Sequence, residues 1–180
     1  FTFLKMDLGI GLLLDEPGTI NAPLGFIDDM KKYAPHILNV QGGSVEADMV
    51  KHQKSYAIVN TAHPFTGIHI TEKGLDYLEN YIREVRDIIG YDVPLAIDHF
   101  GHVGMESTIR FLRRMEKYNL AWAEDLAPWM YTDHYVKMRN ACCVPICTGE
   151  DIYLKEEFEK IIKAGGVSVI HPDILTCGGA

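Results

Sequence analysis

The sequence predicts an α/β fold built around a parallel sheet. Two observations lead to this prediction. Short apolar runs alternate with stretches of helical periodicity through the second half of the chain, and an acidic residue follows three of those runs at equal intervals. Strands that alternate with helices of this length are typical of βαβ units, in which neighbouring strands are parallel.

The clearest helix is predicted over residues 72–89. Its apolar side chains recur at steps of three and four residues, Thr71 is a suitable N-cap, and Gly90 is a suitable C-terminal stop. The remaining predicted elements are helices around 109–115, 132–141 and 154–164, and strands at 93–97, 120–123, 144–147 and 167–170.

Composition and charge exclude several classes of function. The chain has 180 residues, of which 47% are hydrophobic, so it can bury a core. Its formal net charge of −8 has the wrong sign for coating nucleic acid or an anionic membrane. Neither a long apolar run nor a signal-peptide pattern is present, and the four cysteines lack disulfide or C-x2-C spacing. We therefore expect a soluble, reduced, cytoplasmic protein.

Both ends of the sequence are abrupt. It begins in a strand-like run without an initiator Met and stops just after another such run. We expect the chain to be a segment of a longer protein.

Residues 12–68 break the alternation of strands and helices. They are rich in Pro and Gly and contain three histidines. A connection of this length is unusual unless it is functional. We interpret it as an inserted active-site flap with short helices around 26–33 and 45–55. The alternative is a surface insertion or an oligomer contact, because long loops are tolerated on stability grounds.

Three acids follow the predicted strands at one interval: Asp98, Glu124 and Glu150 are each 26 residues apart. In a barrel of parallel strands, side chains at successive strand ends converge on one mouth. Three neighbouring carboxylates repel one another, so a divalent cation among them explains their placement. All-oxygen ligation favours Mg²⁺, with Mn²⁺ as a substitute. The alternative for any single acid is a helix N-cap or a solvated loop residue.

Four sequence strings extend this pattern: LAIDHFGHVG, LAWAEDLAP, VPICTGEDIYL and GGVSVIHPDILTCGGA. In order and spacing they resemble the strand ends of the enolase superfamily, in its mandelate racemase and muconate lactonizing branch. The opening FLKMDLG is similar to the second strand of that family. The resemblance implies a TIM-type (β/α) barrel, of which this chain holds about strands two to six. It places an N-terminal capping domain and the last strands outside the chain, and it implies a homo-oligomer.

The resemblance also implies roles for individual residues. The three acids correspond to the metal ligands, and Asp173 corresponds to the acid that orients a catalytic histidine on the seventh strand, beyond this chain. Lys5 falls on the first lysine of the family's Lys-x-Lys, and Asp7 stands at the second position. Both are candidate catalytic residues, and Asp7 departs from the family's second lysine.

The histidines depart from the pattern as well. Galactonate-dehydratase-like members have a histidine two residues after the first metal ligand, where this chain has Phe100. His99 and His102 flank that position, and either is a candidate for the general acid. A histidine at a strand end is as often structural, through hydrogen bonds to a carboxylate or a carbonyl.

Further residues near the strand ends are candidates for substrate contact. His171 precedes Pro172-Asp173 and either touches the substrate or forms a hydrogen bond within the barrel rim. Asp125, next to the second acid, either assists at the site or is solvated. Trp122, Trp129 and Tyr131 are interpreted mainly as packing residues, with a pocket wall as the alternative.

The chemistry follows from such a site. A proton next to a carboxylate is very weakly acidic, and a divalent metal stabilises the enediolate that its removal leaves. A general acid over the β-hydroxyl then leads to dehydration, whereas a second base on the other side of the α-carbon leads to racemisation or epimerisation. The histidines beside the first acid favour a general acid, and a polar, His-rich flap suits a polyhydroxylated substrate.

These arguments lead to the hypothesis of a Mg²⁺-dependent acid-sugar dehydratase that acts on a sugar acid or a related carboxylate. The alternative within the superfamily is a racemase, epimerase or cycloisomerase of a carboxylate substrate. From a different class, a catalytically degenerate metal-binding barrel stays open, because Asp7 and Phe100 both depart from familiar positions.

Overall fold

The computed structural model describes residues 1–9, 11–22, 68–98 and 103–179. In chain order the strands of this part are β1 Leu4–Asp7, β2 Ile20–Asn21, β3 His69–Ile70, β4 Leu95–Asp98, β5 Trp122–Glu124, β6 Ile146–Thr148 and β7 Val169–Ile170. The α-helices are α1 Gly11–Leu14, α2 Glu72–Ile89, α3 Met105–Met115, α4 Thr132–Ala141 and α5 Lys155–Lys163, with a 3₁₀ turn at Glu116–Tyr118.

A five-stranded sheet in the order β1-β4-β5-β6-β7 forms the centre of the described part. Every neighbouring pair in this sheet is parallel. From β4 onward, one helix connects each strand to its neighbour, so each βα unit adds a strand at the same edge. This order is that of the wall of a (β/α) barrel. The α/β class with a parallel sheet is confirmed.

Helix α2 has the predicted bounds. The Thr71 hydroxyl caps its first turn by accepting the backbone N–H of Gly74 at 3.1 Å. At the other end Gly90 has a φ of +71°, which a residue without Cβ adopts without strain. The helix buries its apolar stripe against the sheet through Leu75, Leu78 and Ile82.

The strands differ from the sequence prediction at their ends. The predicted β4 and β5 stopped one residue before the acids, whereas the structure extends them through Asp98 and Glu124. The reason is that ladder-type hydrogen bonds continue there, with Leu8 N–H donating to Asp98 O at 2.9 Å and Asp125 N–H donating to Cys147 O at 3.2 Å. Both acids therefore have strand backbone and not loop backbone.

The core lies between the sheet and the helices. All four residues of β4 are buried, as expected for a strand covered on both faces. Large side chains fill the layer beside it, among them Phe111, Leu112, Tyr135 and Ile146. Within the described residues, no helix has both the length and the apolar character needed to cross a membrane.

Two short strands, one within the first part of the predicted flap at 12–68 and one just after it, lie side by side. Strands β2 and β3 pair in antiparallel register, Ile20 with Ile70, and the Thr71 hydroxyl donates to the carbonyl oxygen of Gly18 at 2.7 Å. The helices predicted around 26–33 and 45–55 lie outside the described residues. The role of this segment as an active-site flap stays a prediction.

Gly74 is expected to be required for this arrangement. A Cβ at Gly74 would clash with the carbonyl oxygen of Thr19, a buried residue whose hydroxyl donates to Leu13 O at 2.6 Å. We expect Gly74→Ala to lower the free energy of unfolding by about 1–3 kcal/mol, although alanine ordinarily favours a helix by about 1 kcal/mol over glycine. Urea denaturation followed by circular dichroism measures the change. The control is Asn80→Ala, an exposed site on the same helix. An equal gain in both variants would contradict the expectation.

Candidate metal centre

The three predicted acids converge at one end of the sheet. Asp98 and Glu124 are the last residues of β4 and β5, and Glu150 lies two residues beyond β6. One carboxylate oxygen from each lies within 4.8 Å of those from the other two. The side chains of Asp98 and Glu124 are 3% and 0% exposed, and Glu150 is half-buried. Neighbouring parallel strands end at the same edge, which brings these side chains together.

Glu150 reaches the group through a close backbone approach. Its neighbour Gly149 has a φ of +153°, and a Cβ there would lie 2.9 Å from the backbone of His171. The same segment is fixed by His171 N–H, which donates to Thr148 O at 3.1 Å. A residue with a side chain would push the loop after β6 away from β7. Gly149 thus allows Glu150 to turn toward the other two acids.

Lys5, on β1, reaches across to the same acids. Its Nζ lies 2.5 Å from Asp98 Oδ2 and 3.2 Å from Glu124 Oε2. Partial burial lowers the pKa of Lys5, but the hydrogen bonds and charges of Asp98 and Glu124 outweigh that effect. The pKa of Lys5 therefore lies above its ordinary value, and the side chain is a cation here. It compensates part of the charge of two buried carboxylates.

His171, just after β7, contacts the second acid. Its Nδ1 lies 2.6 Å from Glu124 Oε1, and the imidazole is 52% exposed. An ionised carboxylate only accepts hydrogen bonds, so Nδ1 is the donor of this pair. In the neutral ring Nε2 is then the acceptor nitrogen. The sequence left two interpretations of His171, contact with the substrate or a hydrogen bond at the barrel rim, and the structure shows the hydrogen bond.

Asp125 follows Glu124 in a left-handed conformation with a φ of +50°. Its Oδ1 accepts a hydrogen bond from the Thr148 hydroxyl at 2.6 Å, so the side chain is anchored and not freely solvated. Burial raises the pKa of Asp125 to about 6; the hydrogen bond from Thr148 opposes this shift, and the nearby anions add to it.

Trp122 also contacts the centre. Its indole Nε1 donates to Glu124 Oε2 at 2.8 Å, and its ring stacks on Phe3 with centroids 4.9 Å apart. From the sequence alone, Trp122 is expected mainly to pack. The available signal was its position two residues before an acid in a strand, which places both side chains on one face.

Of the other sequence candidates that the structure describes, Asp7 and Asp173 are not members of the group formed by Asp98, Glu124 and Glu150. Asp7 is exposed on β1, where it lies opposite Asp98 in the ladder. Asp173 is exposed in the turn after β7, and its Oδ1 accepts the N–H of Leu175 at 2.7 Å. His99 and His102 lie outside the described residues.

The residues present fit a divalent cation such as Mg²⁺. All three converging donors are carboxylate oxygens, the ligands that hard cations prefer. Three carboxylates and the single ammonium group of Lys5 leave a net negative charge at this site, where the side chains of Asp98 and Glu124 are buried. Glu124 is further held by Trp122 and His171, the kind of outer hydrogen bonding that fixes a metal ligand.

The chain is similar in sequence to known proteins. It is 26% identical over 98 residues to a D-galactonate dehydratase of Xanthomonas campestris pv. campestris (strain B100), a match that covers 54% of this chain and 26% of the relative. The chain thus spans about a quarter of the length of the curated relatives it matches.

Solved structures match the same part of the fold. A mandelate racemase/muconate lactonizing enzyme-like protein from Rubrobacter xylanophilus DSM 9941 is 32% identical with a TM-score of 0.59, over 61% of this chain and 28% of that one. An enolase from Bradyrhizobium, complexed with magnesium and mandelic acid, is 28% identical with a TM-score of 0.56, over 58% of this chain and 29% of that one.

A family model defines the relationship. The model described as enolase C-terminal domain-like matches residues 51–180. The TIM-type (β/α) barrel, present here in part, is thereby confirmed as the fold, together with the resemblance to the enolase superfamily and to galactonate dehydratase. By its sequence, its parallel sheet and its group of strand-end acids, this chain belongs to the enolase C-terminal domain-like family.

Proposed function

We propose that the chain carries the metal centre of a Mg²⁺-dependent acid-sugar dehydratase. The observation that carries the proposal is the convergence of Asp98, Glu124 and Glu150 within 4.8 Å at the strand ends, beside a lysine and a histidine. The galactonate dehydratase relatives support the choice of a sugar acid as the substrate class.

The three acids would hold Mg²⁺, or Mn²⁺ in its place. A divalent cation there supplies positive charge that attracts a substrate carboxylate and stabilises the anion left when its α-proton is removed. Loss of the β-hydroxyl as water then leaves an enol, which becomes a 2-keto-3-deoxy acid when C3 takes up a proton.

The chain's own residues prepare this site. Lys5 reduces the repulsion between the buried carboxylates of Asp98 and Glu124. With a neutral ring whose Nδ1 donates to Glu124, His171 has Nε2 as a hydrogen-bond acceptor, and we propose that it contacts a substrate hydroxyl. Asp125 is proposed to border the substrate, with Thr148 fixing its orientation.

We also propose which residues take part in proton transfer. His99 and His102 are the candidates for the general acid, because His99 directly follows the ligand Asp98 in the chain and His102 is four residues beyond it. Asp173 is the candidate for orienting a histidine supplied by a seventh strand. Asp7 is a weaker candidate, since it is exposed.

We also propose a cytoplasmic setting. All four cysteines are free thiols, as expected in a reducing compartment. A homo-oligomer stays an expectation from the family resemblance.

A substrate screen tests the proposed reaction. We expect the intact protein with Mg²⁺ to convert at least one mono- or diacid sugar to a 2-keto-3-deoxy product, detected by carbonyl derivatisation. Glu150→Gln should abolish this activity, because the cluster loses one of its three charges and a ligand oxygen. The matched control is Glu157→Gln, the same change at an acid on α5 that pairs with Lys160, and it should keep full activity.

Two results would reject dehydration. Exchange of a carboxylate's α-proton with solvent deuterium, without any loss of water, would favour a racemase, epimerase or cycloisomerase. Metal binding with neither exchange nor product across the library would favour a catalytically degenerate barrel.

A further inference from the structure

The carboxylate of Glu124 has three hydrogen-bond donors although it is fully buried. Its Oε1 is 2.6 Å from His171 Nδ1, and its Oε2 is 2.8 Å from Trp122 Nε1 and 3.2 Å from Lys5 Nζ. Because both oxygens are engaged, the plane of this carboxylate is strongly restrained. The three donors differ in charge and in how firmly the fold holds them.

Trp122 is the donor best suited to hold the carboxylate when a cation is bound. Lys5 is positively charged, so it repels a cation that shares Asp98 and Glu124. His171 is half exposed and follows the short strand β7. The indole N–H of Trp122 is neutral and has no acceptor function, so its bond to Oε2 is compatible with a neighbouring cation.

The strands fix Trp122 in place. It begins β5, two residues before Glu124, so both side chains leave the same face of one strand. Ala96 lies between Lys5 and Trp122 in the ladder, and its small side chain leaves room for both to reach toward the acids. On the outer side the indole stacks on Phe3 at an interplanar angle of 28°.

We propose that Trp122 is a positioning residue of the metal centre. Its N–H occupies one lone pair of Glu124 Oε2 and sets the rotation of the carboxylate, which leaves the remaining lone pairs for a cation shared with Asp98 and Glu150. The inference rests on the proposed function, since it takes these acids to bind a divalent cation. It assigns the tryptophan a role in metal affinity that packing alone does not require.

Calorimetric titration of the intact protein with Mg²⁺ and with Mn²⁺ tests the assignment. Trp122→Phe keeps an aromatic ring beside Phe3 but removes the N–H, and we expect about a tenfold weaker Kd, the lower end of the effect of removing an outer partner of a metal ligand. Trp129→Phe, the same change in the loop after β5, is the matched control and should keep the wild-type Kd.

Fluorescence provides a second readout that does not depend on the folding of the Trp122 variant. The chain has two tryptophans, so Trp129→Phe leaves Trp122 as its single indole. Saturating Mg²⁺ should change the emission of Trp122 with the same Kd as in calorimetry, and the change should disappear when Glu150→Gln is added. A donor to the Glu124 carboxylate must respond to a cation bound there, so a missing response would contradict the contact.

The outcomes separate the two proposals. If the wild type binds metal and Trp122→Phe binds within twofold of it, or if the emission of Trp122 does not respond, the positioning role is overturned and the proposed function stands. If the wild type binds neither cation, both proposals are overturned.

Discussion

Glu124→Gln is expected to weaken Mg²⁺ binding by more than about 100-fold, since removing even an outer partner of a metal ligand costs 10–100-fold, and to abolish turnover. Glu124 is the fully buried member of the trio, and Lys5, Trp122 and His171 all donate to it. A carboxamide removes the negative charge and one of the two acceptor oxygens. The NH₂ group of the carboxamide then faces one of the existing donors, unless His171 changes tautomer so that its Nδ1 accepts a hydrogen bond from the NH₂ group.

Titration calorimetry measures the metal affinity, and the sugar-acid assay measures turnover. The control is again Glu157→Gln, which changes the same functional group on α5, where the side chain is 40% exposed and pairs with Lys160. A Kd within threefold of the wild type for Glu124→Gln would mean that this acid is not a ligand. That result would overturn the proposed metal centre, because Glu124 is one of its three ligands.

Arg86→Met is expected to have the largest effect on stability. Arg86 projects from α2 and is 3% exposed, and its guanidinium donates to four backbone carbonyl oxygens, those of Gly90, Val93, Tyr118 and Asn119, at 2.8–3.1 Å. Burial lowers the pKa of this guanidinium, and the side chain nevertheless remains charged because an arginine is not deprotonated in proteins.

Methionine fills a similar volume but leaves these four carbonyl groups without their donor. Each buried polar group that loses its partner costs about 1–3 kcal/mol, and some of these carbonyls regain water, so we expect a loss of about 3–5 kcal/mol in the free energy of unfolding, the range seen when one partner of a buried charge is removed. Urea denaturation of the intact protein measures it. Arg86→Lys should recover part of the loss, because an ammonium group donates to some of the same oxygens.

The control for Arg86 is Arg83→Met, at an exposed position of the same helix. It should change the free energy of unfolding by no more than about 0.5 kcal/mol. Because the loops that Arg86 joins precede β4 and β5, it lies at the opposite end of these strands from the acids, and a properly folded Arg86→Lys should bind Mg²⁺ as the wild type does. Equal stability of Arg86→Met and Arg83→Met would contradict the proposed role of these hydrogen bonds.

Local patterns in the sequence determined much of the architecture. Helix α2 could be predicted with its caps because the apolar period, the Thr71 hydroxyl and the glycine with positive φ at position 90 are all local features of the chain. The sequence predicts ends of β4 and β5 that are one residue too early, because a strand ends where its neighbouring strand stops pairing with it. That information lies in another part of the chain.

The closeness of the three acids to one another could also be predicted from the sequence. Equal spacing places each acid one βα unit after the last, and parallel strands bring equivalent ends to one edge. The partners of Glu124 did not follow. Lys5 comes from 119 residues away and His171 from 47, and both contacts depend on the register of strands that the sequence pattern does not specify. Trp122 is only two residues from Glu124 in the sequence. Whether its indole N–H donates a hydrogen bond, or the ring only packs, depends on the orientation of the Glu124 carboxylate.

Sequence alone thus determined the parallel α/β sheet, the helix periods and the acid trio, because each arises from short-range periodicity repeated along the chain. Only the tertiary structure decided that Lys5, Trp122 and His171 all hold one buried carboxylate, and that Arg86, on the apolar face of α2 four residues after Ile82, is buried with four backbone carbonyl oxygens as acceptors. The physical reason is that hydrogen bonds form between groups within about 3 Å, and distances of that size between remote residues are set by strand register and side-chain packing.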